Sequence, residues 1–336
     1  MVGKNMKRIV SYIVVLCFAF SVLQIAAVAE DVTFSDMPDN WATDALQKAV
    51  DNGLLNGYDG MIMPDNNLTR AEMAAIMVRA FGATAEADIS AFTDVDAGAW
   101  YYGDMAKSVQ MGIFQGDGTN LNPDNNITRE EAFTVLARAF ELDAADGAVL
   151  DVFTDKADVS AWAVPTVAAI VENGYAQGAD GYLNPKSNIT RAEFAVLMDN
   201  LVKMYITEPG LYSHVEDGNI LIRANDVTLS SLTVKGDLIL GESVTAKGVT
   251  LLSSNVEGRI VNNDNDDKIE YVTTGGGDYP GGNPGGNPGG NPGGNPGGNP
   301  GGNPGGNPGG NPGTDPDDED NPGETTDPGI DDGGDL

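Results

Sequence analysis

Three arginines occupy the same step of three near-identical phrases: Arg70 in NNLTRAE (66–72), Arg129 in NNITREE (125–131) and Arg191 in SNITRAE (187–193). The intervals between them are 59 and 62 residues, and Trp41, Trp100 and Trp162, the chain's three tryptophans, repeat both intervals. A guanidinium fork suits bidentate contact with a carboxylate or phosphate. An indole face suits stacking on a sugar ring as well as packing in a core. Each Arg follows a Thr placed to cap a helix, so it falls in the first helical turn. A cation there is disfavoured by about a few tenths of a kcal/mol. Two readings follow. One is an anion site, in which first-turn N–H groups, the helix dipole and the guanidinium converge on one negative group. The other is a structural Arg paired with a nearby acid such as Asp36, Asp94 or Asp155. The residues leave both open. The recurrence of Arg, Trp, Asp and Gly in register favours a carbohydrate site that accepts a carboxylate-bearing sugar.

The elements that must position these groups are themselves repeated. In the first copy, Asp39-Asn40 can cap a helix through Trp41, Ala45, Leu46, Ala49 and Val50 that ends at Gly53. A loop follows with Gly57, Asp59-Gly60 and Pro64. Thr69-Arg70-Ala71-Glu72 then has the S/T-x-x-E form of a capping box. Met73, Ile76, Met77, Ala80 and Phe81 fall on one apolar helical face, and Gly82 closes the unit. The second and third copies repeat the pattern around Gly116 and Gly178, with boxes at 128–131 and 190–193. Each unit opens on an aromatic-x-Asp step: Phe34 to Asp36, Phe92 to Asp94, and Phe153 to Asp155. A two-helix unit of this size cannot bury both faces alone, so the copies are expected to pack into one helical domain.

The flanking regions set limits on function. Residues 1–29 read as a secretory signal peptide, with Lys4, Lys7 and Arg8 before an apolar run and Ala27-Val28-Ala29 at the cleavage point. The only cysteine, Cys17, lies inside that run, so neither a disulfide nor a thiol catalyst is expected in the mature chain. Cleavage leaves 15 basic against 50 acidic residues, a formal charge of −35. That sign argues against nucleic acid or an anionic membrane surface as partner after signal cleavage. Asp124-Asn125-Asn126 resembles a calcium-loop start but lacks the Gly and distal Glu that such loops need, so no metal site is expected. Asn67, Asn126 and Asn188 begin sequons explained by the loop and the cap. His214 has no partner pattern, and no acidic pair stands out as catalytic.

With these residues in view, the three units resemble a triplet of S-layer homology domains. The resemblance rests on the F-x-D opening, the Trp, the loop Gly and the P-x-x-x-[LI]-T-R-[AE]-E box, and covers about 170 residues, half the chain. It implies a pseudo-threefold helical spindle that binds secondary cell wall polysaccharide, pyruvylated in many members, and holds surface proteins non-covalently to Gram-positive-type walls. Carried over by position, the implied ligand residues are Asp36, Trp41, Gly57 and Arg70; Asp94, Trp100, Gly116 and Arg129; and Asp155, Trp162, Gly178 and Arg191. Two departures stand out. Glu130 follows Arg129, where it is expected to weaken attraction for an acidic polymer. After the loop Gly only the first copy keeps an aromatic, Tyr58, against Asp117 and Ala179.

Beyond the repeats, Val227–Gly236 aligns with Val249–Gly258 at an offset of 22, and Ile220–Ile222 reads as an earlier turn. Short strands at this period suggest a small β-solenoid, loosely similar to modules found beside such triplets. Residues 281–312 are eight GGNP tetrads and 313–336 are acidic, so residues 275–336 are expected to be disordered. As a coil the tetrads span on the order of 30 Å. The expected organisation is a signal peptide (1–29), repeats at 30–86, 87–147 and 148–204, a β module at 205–274 and a tail at 275–336. The fold is expected to be mainly α. The function expected is a secreted, non-enzymatic protein anchored at the cell wall or S-layer, without a cofactor. The alternatives are an envelope enzyme or adhesin active through 205–274, or a small structural S-layer component.

Overall fold

The computed structural model describes residues 34–262 and 269–272. The expected signal peptide, the GGNP tract and the acidic tail lie outside the described residues. Each repeat contributes two helices: α1 (Thr43–Asp51) and α2 (Arg70–Phe81), α3 (Tyr102–Gln110) and α4 (Arg129–Ala139), α5 (Val164–Glu172) and α6 (Arg191–Leu201). All three capping boxes form. The Thr69 hydroxyl accepts from Glu72 N at 3.1 Å while the Glu72 carboxylate accepts from Thr69 N at 2.8 Å, and Thr128–Glu131 and Thr190–Glu193 repeat the exchange.

The tryptophans are not helical, contrary to the expected cap at Asp39-Asn40. Asn40 Oδ1 accepts from Ala42 N and Asn40 N donates to the Thr43 hydroxyl, a tight local turn that delays the first helix to Thr43. Trp41, Trp100 and Trp162 therefore stand in the turns before α1, α3 and α5. The helices that follow the boxes are buried nearly all round, well beyond the single apolar face expected. In α2, nine residues from Ala71 to Phe81 are buried.

Packing does not respect the sequence repeat. The inner helix of each copy lies against the outer helix of the next: α2 on α3, α4 on α5, and α6 back on α1. The ring is closed at its centre by main-chain bonds. Leu68 N donates to Ile189 O, Ile127 N to Leu68 O and Ile189 N to Ile127 O, at 2.9–3.1 Å. Those three side chains are fully buried.

Between Met204 and Val272 the described residues are mainly β, so the mainly α expectation describes the repeats only. Ten short strands, β1 (Met204–Ile206) to β10 (Glu270–Val272), form a parallel solenoid of about three turns. Pairing of Val227 with Val249 fulfils the 22-residue offset. Strands β3 (Ile220–Ile222), β6 (Leu238–Leu240) and β9 (Ile260–Val261) follow β1 in one sheet, and Tyr205, Leu221, Ile239 and Val261 lie opposite one another across it. Leu221, Ile239 and Val261 of this ladder join the helical core, with Tyr205 packed against it. The alternating residues Ile206, Ile220, Ile222, Leu238 and Leu240 fill the solenoid's own core. Its central strands β3 and β6 are buried on both faces, which is why they read as continuous apolar runs.

The sheet covers the C-terminal ends of the inner helices and supplies donors to their unpaired carbonyls. Arg223 donates to Arg79 O and also to Asn52 O at the end of the outer helix α1, Glu242 N to Phe81 O, Arg259 to Phe140 O and Glu141 O, and Asn219 to Leu201 O. Two of these donors are guanidinium groups set at helix C-termini, where positive charge is favourable. Replacing both (Arg223→Ala with Arg259→Ala) removes four hydrogen bonds to main-chain carbonyls and two from Arg259 to Asp237, with an expected loss of about 3–6 kcal/mol. Helical and β signals should then melt together at a lower temperature in thermal unfolding. Two separate transitions would show that helices and solenoid are not one cooperative body.

Candidate functional site

The loop between the two helices of each repeat is built from the F-x-D step. The Asp36 carboxylate accepts from Ile62 N and Met63 N, both at 2.7 Å, Asp94 from Leu121 N and Asn122 N, and Asp155 from Leu183 N and Asn184 N. The second amide in each pair belongs to a residue with positive φ: Met63, Asn122 and Asn184. A left-handed backbone costs a non-glycine residue about 1–2 kcal/mol, and the carboxylate holds it in place. The preceding phenylalanine explains the loop glycine. A Cβ on Gly57 would lie 2.0 Å from the Phe34 ring, and one on Gly178 would lie 2.7 Å from the Phe153 ring and 2.4 Å from Tyr182 O.

The arginines cross from one repeat to the next. Arg70 Nε donates to Leu121 O at 2.8 Å and Nη1 to Glu131 Oε1 at 2.9 Å. Arg129 does the same to Leu183 O and Glu193 Oε1. Arg191 closes the ring through Nε to Ile62 O and Nη2 to Asn56 O. Each Arg therefore meets the loop that the Asp of the following repeat shapes. The structure brings Arg70 to the seam built by Asp94 and Gly116, Arg129 to that of Asp155 and Gly178, and Arg191 to that of Asp36 and Gly57.

This corrects two expectations. The first-turn N–H groups do not face an outside anion, because neighbouring loops already occupy them. Arg70 N donates to Asn125 O and Ala71 N to Pro123 O, and the other two boxes are filled in the same way. The acids that pair with the first two arginines are the capping-box glutamates of the next repeat. The three Asp residues hold loop amides instead. Burial also distinguishes the arginines: Arg191 is only 7% exposed, and that burial lowers its pKa from the ordinary value. Among the described residues each arginine keeps one terminal nitrogen without a hydrogen-bond partner, Nη2 in Arg70 and Arg129 and Nη1 in Arg191, and the Arg70 and Arg129 side chains are 13% exposed.

The tryptophans face outward, with 65% of Trp41, 68% of Trp100 and 56% of Trp162 accessible. Trp100 meets Tyr101 edge-on at 5.4 Å. Beside them the loop hairpins differ. Tyr58 pairs with Met61 in the first, and Ala179 with Tyr182 in the third. The third copy thus carries an exposed tyrosine from the opposite side of its hairpin, which a position-by-position comparison missed. The second is polar: Thr119 N and Asn120 N hold the Asp117 carboxylate at a pKa of about 2. Glu130 also departs from expectation. It is buried, and its carboxylate accepts from Ser160 N, Ser160 Oγ and Lys186 Nζ rather than standing loose beside Arg129. Ser160 and Lys186 carried no signal in the sequence, since each differs from its counterparts in the other repeats.

A shallow cleft lined by Lys48, Asp199 and Tyr205 lies apart from all the candidate residues. Among the described residues, no group of three or more His, Cys, Asp or Glu side chains is placed to hold a metal ion, and no helix is long and apolar enough to cross a membrane.

A closed ring of three repeats, with an exposed indole in the turn before each outer helix, defines a tandem-repeat helical module. The S-layer homology domain model matches residues 33–74, 91–133 and 152–195, and the chain carries three tandem S-layer homology domains. It is 35% identical over 191 residues to a surface-layer 125 kDa protein of Lysinibacillus sphaericus, covering 55% of this chain and 16% of that protein. It is 34% identical over 187 residues to an amylopullulanase of Thermoanaerobacterium thermosulfurigenes, covering 54% and 10%. Similarity to the S-layer protein sap of Bacillus anthracis is 29% over 206 residues, covering 59% and 25%. The chain spans between a tenth and a quarter of these relatives, and the part they share is the repeat region. These matches place the protein at the cell surface.

Gly116→Ala would put a methyl 2.3 Å from Asn120 O on a residue with φ +64. It should lower stability by about 2 kcal/mol or more in denaturant titration.

Proposed function

We propose that this chain is a non-enzymatic anchor that attaches to the cell wall non-covalently by binding secondary cell wall polysaccharide, pyruvylated or otherwise acidic, at the seams between its repeats. The observation that carries the reading is the outward exposure of Trp41, Trp100 and Trp162, each in the turn leading into an outer helix that packs on another repeat. A large indole left in water at three equivalent places contributes little to folding, whereas base- and sugar-sized rings gain from stacking on such a face.

In this reading the site residues divide by task. Trp41, Trp100 and Trp162 contact sugar. Arg70 and Arg129 offer their remaining Nη2 edge to a carboxylate, while Arg191 chiefly locks the ring. Asp36, Asp94, Asp155, Gly57, Gly116 and Gly178 shape the loops. Three modest sites on a repeating polymer give firm attachment through multivalency. Support for the wall as target comes from the domain family and from the surface-layer relatives. The solenoid is read as part of the anchor, because one of its sheets is committed to the helical core.

The full chain should bind isolated walls and lose that binding once the polysaccharide is chemically removed. Retention on stripped walls would sink the reading. Each of Trp41→Ala, Trp100→Ala and Trp162→Ala should leave the melting temperature within about 2 °C. The triple variant should lose wall binding by about a hundredfold or more, measured by co-sedimentation.

A further inference from the structure

The three seams share one plan but differ in charge. At the second residue of the inner helix stand Ala71, Glu130 and Ala192, and each backbone N at that step donates to the carbonyl of Pro123, Pro185 or Pro64 in the loop it meets. The residue after each of those prolines is Asp124, Lys186 and Asp65 respectively. Two seams therefore place a lone aspartate against an alanine, a net negative pair. The seam between the second and third repeats places a lysine against a glutamate and is neutral at those positions.

We propose that the seam between the second and third repeats is the principal site for the carboxylate-bearing sugar of the wall polymer, with Lys186 as its specificity-determining cation. The inference rests on the polysaccharide reading above and names which seam and which charge it uses.

The geometry favours this seam on three counts. The Glu130 carboxylate is 5% exposed, whereas the Lys186 side chain is 53% exposed, so the cation faces the solvent and its counter-charge does not. Lys186 Nζ donates to Glu130 and to Ser160 Oγ, which leaves one of its three donors for a ligand. Arg129, which reaches into the same seam, keeps its Nη2 edge, and Trp162 and Tyr182 supply exposed aromatic faces. The other seams each lack part of this set. Between the first and second repeats, Asp124 accepts from Tyr101 and the hairpin carries Asp117 where an aromatic could stand. Between the third and first, Tyr58 and Trp41 are exposed, but Arg191 is buried against Ile62 O and Asn56 O and Asp65 adds negative charge. In a chain this acidic, an anionic polymer settles where local repulsion is least.

The test exchanges the pair without stranding a buried charge. Glu130→Ala with Lys186→Asp gives this seam the residues of the other two. The reverse graft, Ala192→Glu with Asp65→Lys, moves the pair to the seam between the third and first repeats. Each full-length variant is first shown to melt as the native protein does. Binding is then measured to isolated wall polysaccharide, native and after reduction of its carboxylates to alcohols. The first variant should bind the native polymer about three- to tenfold more weakly, with a smaller salt dependence, and the reverse graft should bind it more tightly. Neither should change affinity for the reduced polymer. Unchanged binding of the first variant to native polymer, or an equal loss on both polymers, overturns the assignment of Lys186 while leaving the polysaccharide reading intact. Failure of the unmodified protein to bind either polymer overturns both.

Discussion

Ring closure is the constraint on which the other features depend. Leu68, Ile127 and Ile189 pass one main-chain hydrogen bond each around the axis, and every inner helix packs on the outer helix of the next copy. A single repeat would leave its inner helix, buried on almost every side in the ring, open to water. The arginine of each box extends the same logic to the periphery by bonding the loop carbonyl of the next repeat. A cation in the first helical turn is disfavoured by the dipole. Here the loss is offset by hydrogen bonds to Leu121 O, Leu183 O and Ile62 O, and for Arg70 and Arg129 by a carboxylate at 2.9 Å.

Seen this way, the arginine is an inter-repeat tie first and a candidate ligand group second. The two uses are easier to combine at Arg70 and Arg129, whose side chains are partly exposed, than at Arg191, which is buried. Shaping of the loop falls to aspartate and glycine, whose places are fixed by two amides and by a phenylalanine ring. The tryptophans alone among the repeated residues have no such internal commitment on most of their surface.

Much of this was legible in the sequence. The capping boxes could be read from Thr69, Thr128 and Thr190, because an N-cap and its glutamate are local and three residues apart. The solenoid offset of 22 could be read because stacked coils repeat their inward residues. What could not be read was non-local. Helix exchange between copies leaves the same periodicity as helix pairing within a copy. The partners of Arg70 and Arg129 lie 61 and 64 residues away, in a glutamate already assigned to a cap. Tyr182 matches no aromatic at the aligned position of the first repeat because it projects from the opposite strand of its hairpin. Arg223 and Arg259 follow or precede apolar strands, and nothing local indicates that they reach helix ends more than 100 residues earlier.

The covering of all three inner helices by one sheet gives the molecule a polarity. Capping boxes and inter-repeat loops sit at the helix beginnings, and the solenoid sits at the helix ends. Twelve helical residues in α2 at about 1.5 Å each set roughly 18 Å between those two ends. The solenoid thereby occupies the helix-end face of the ring, while Trp41, Trp100 and Trp162, in turns at the helix beginnings, stay exposed.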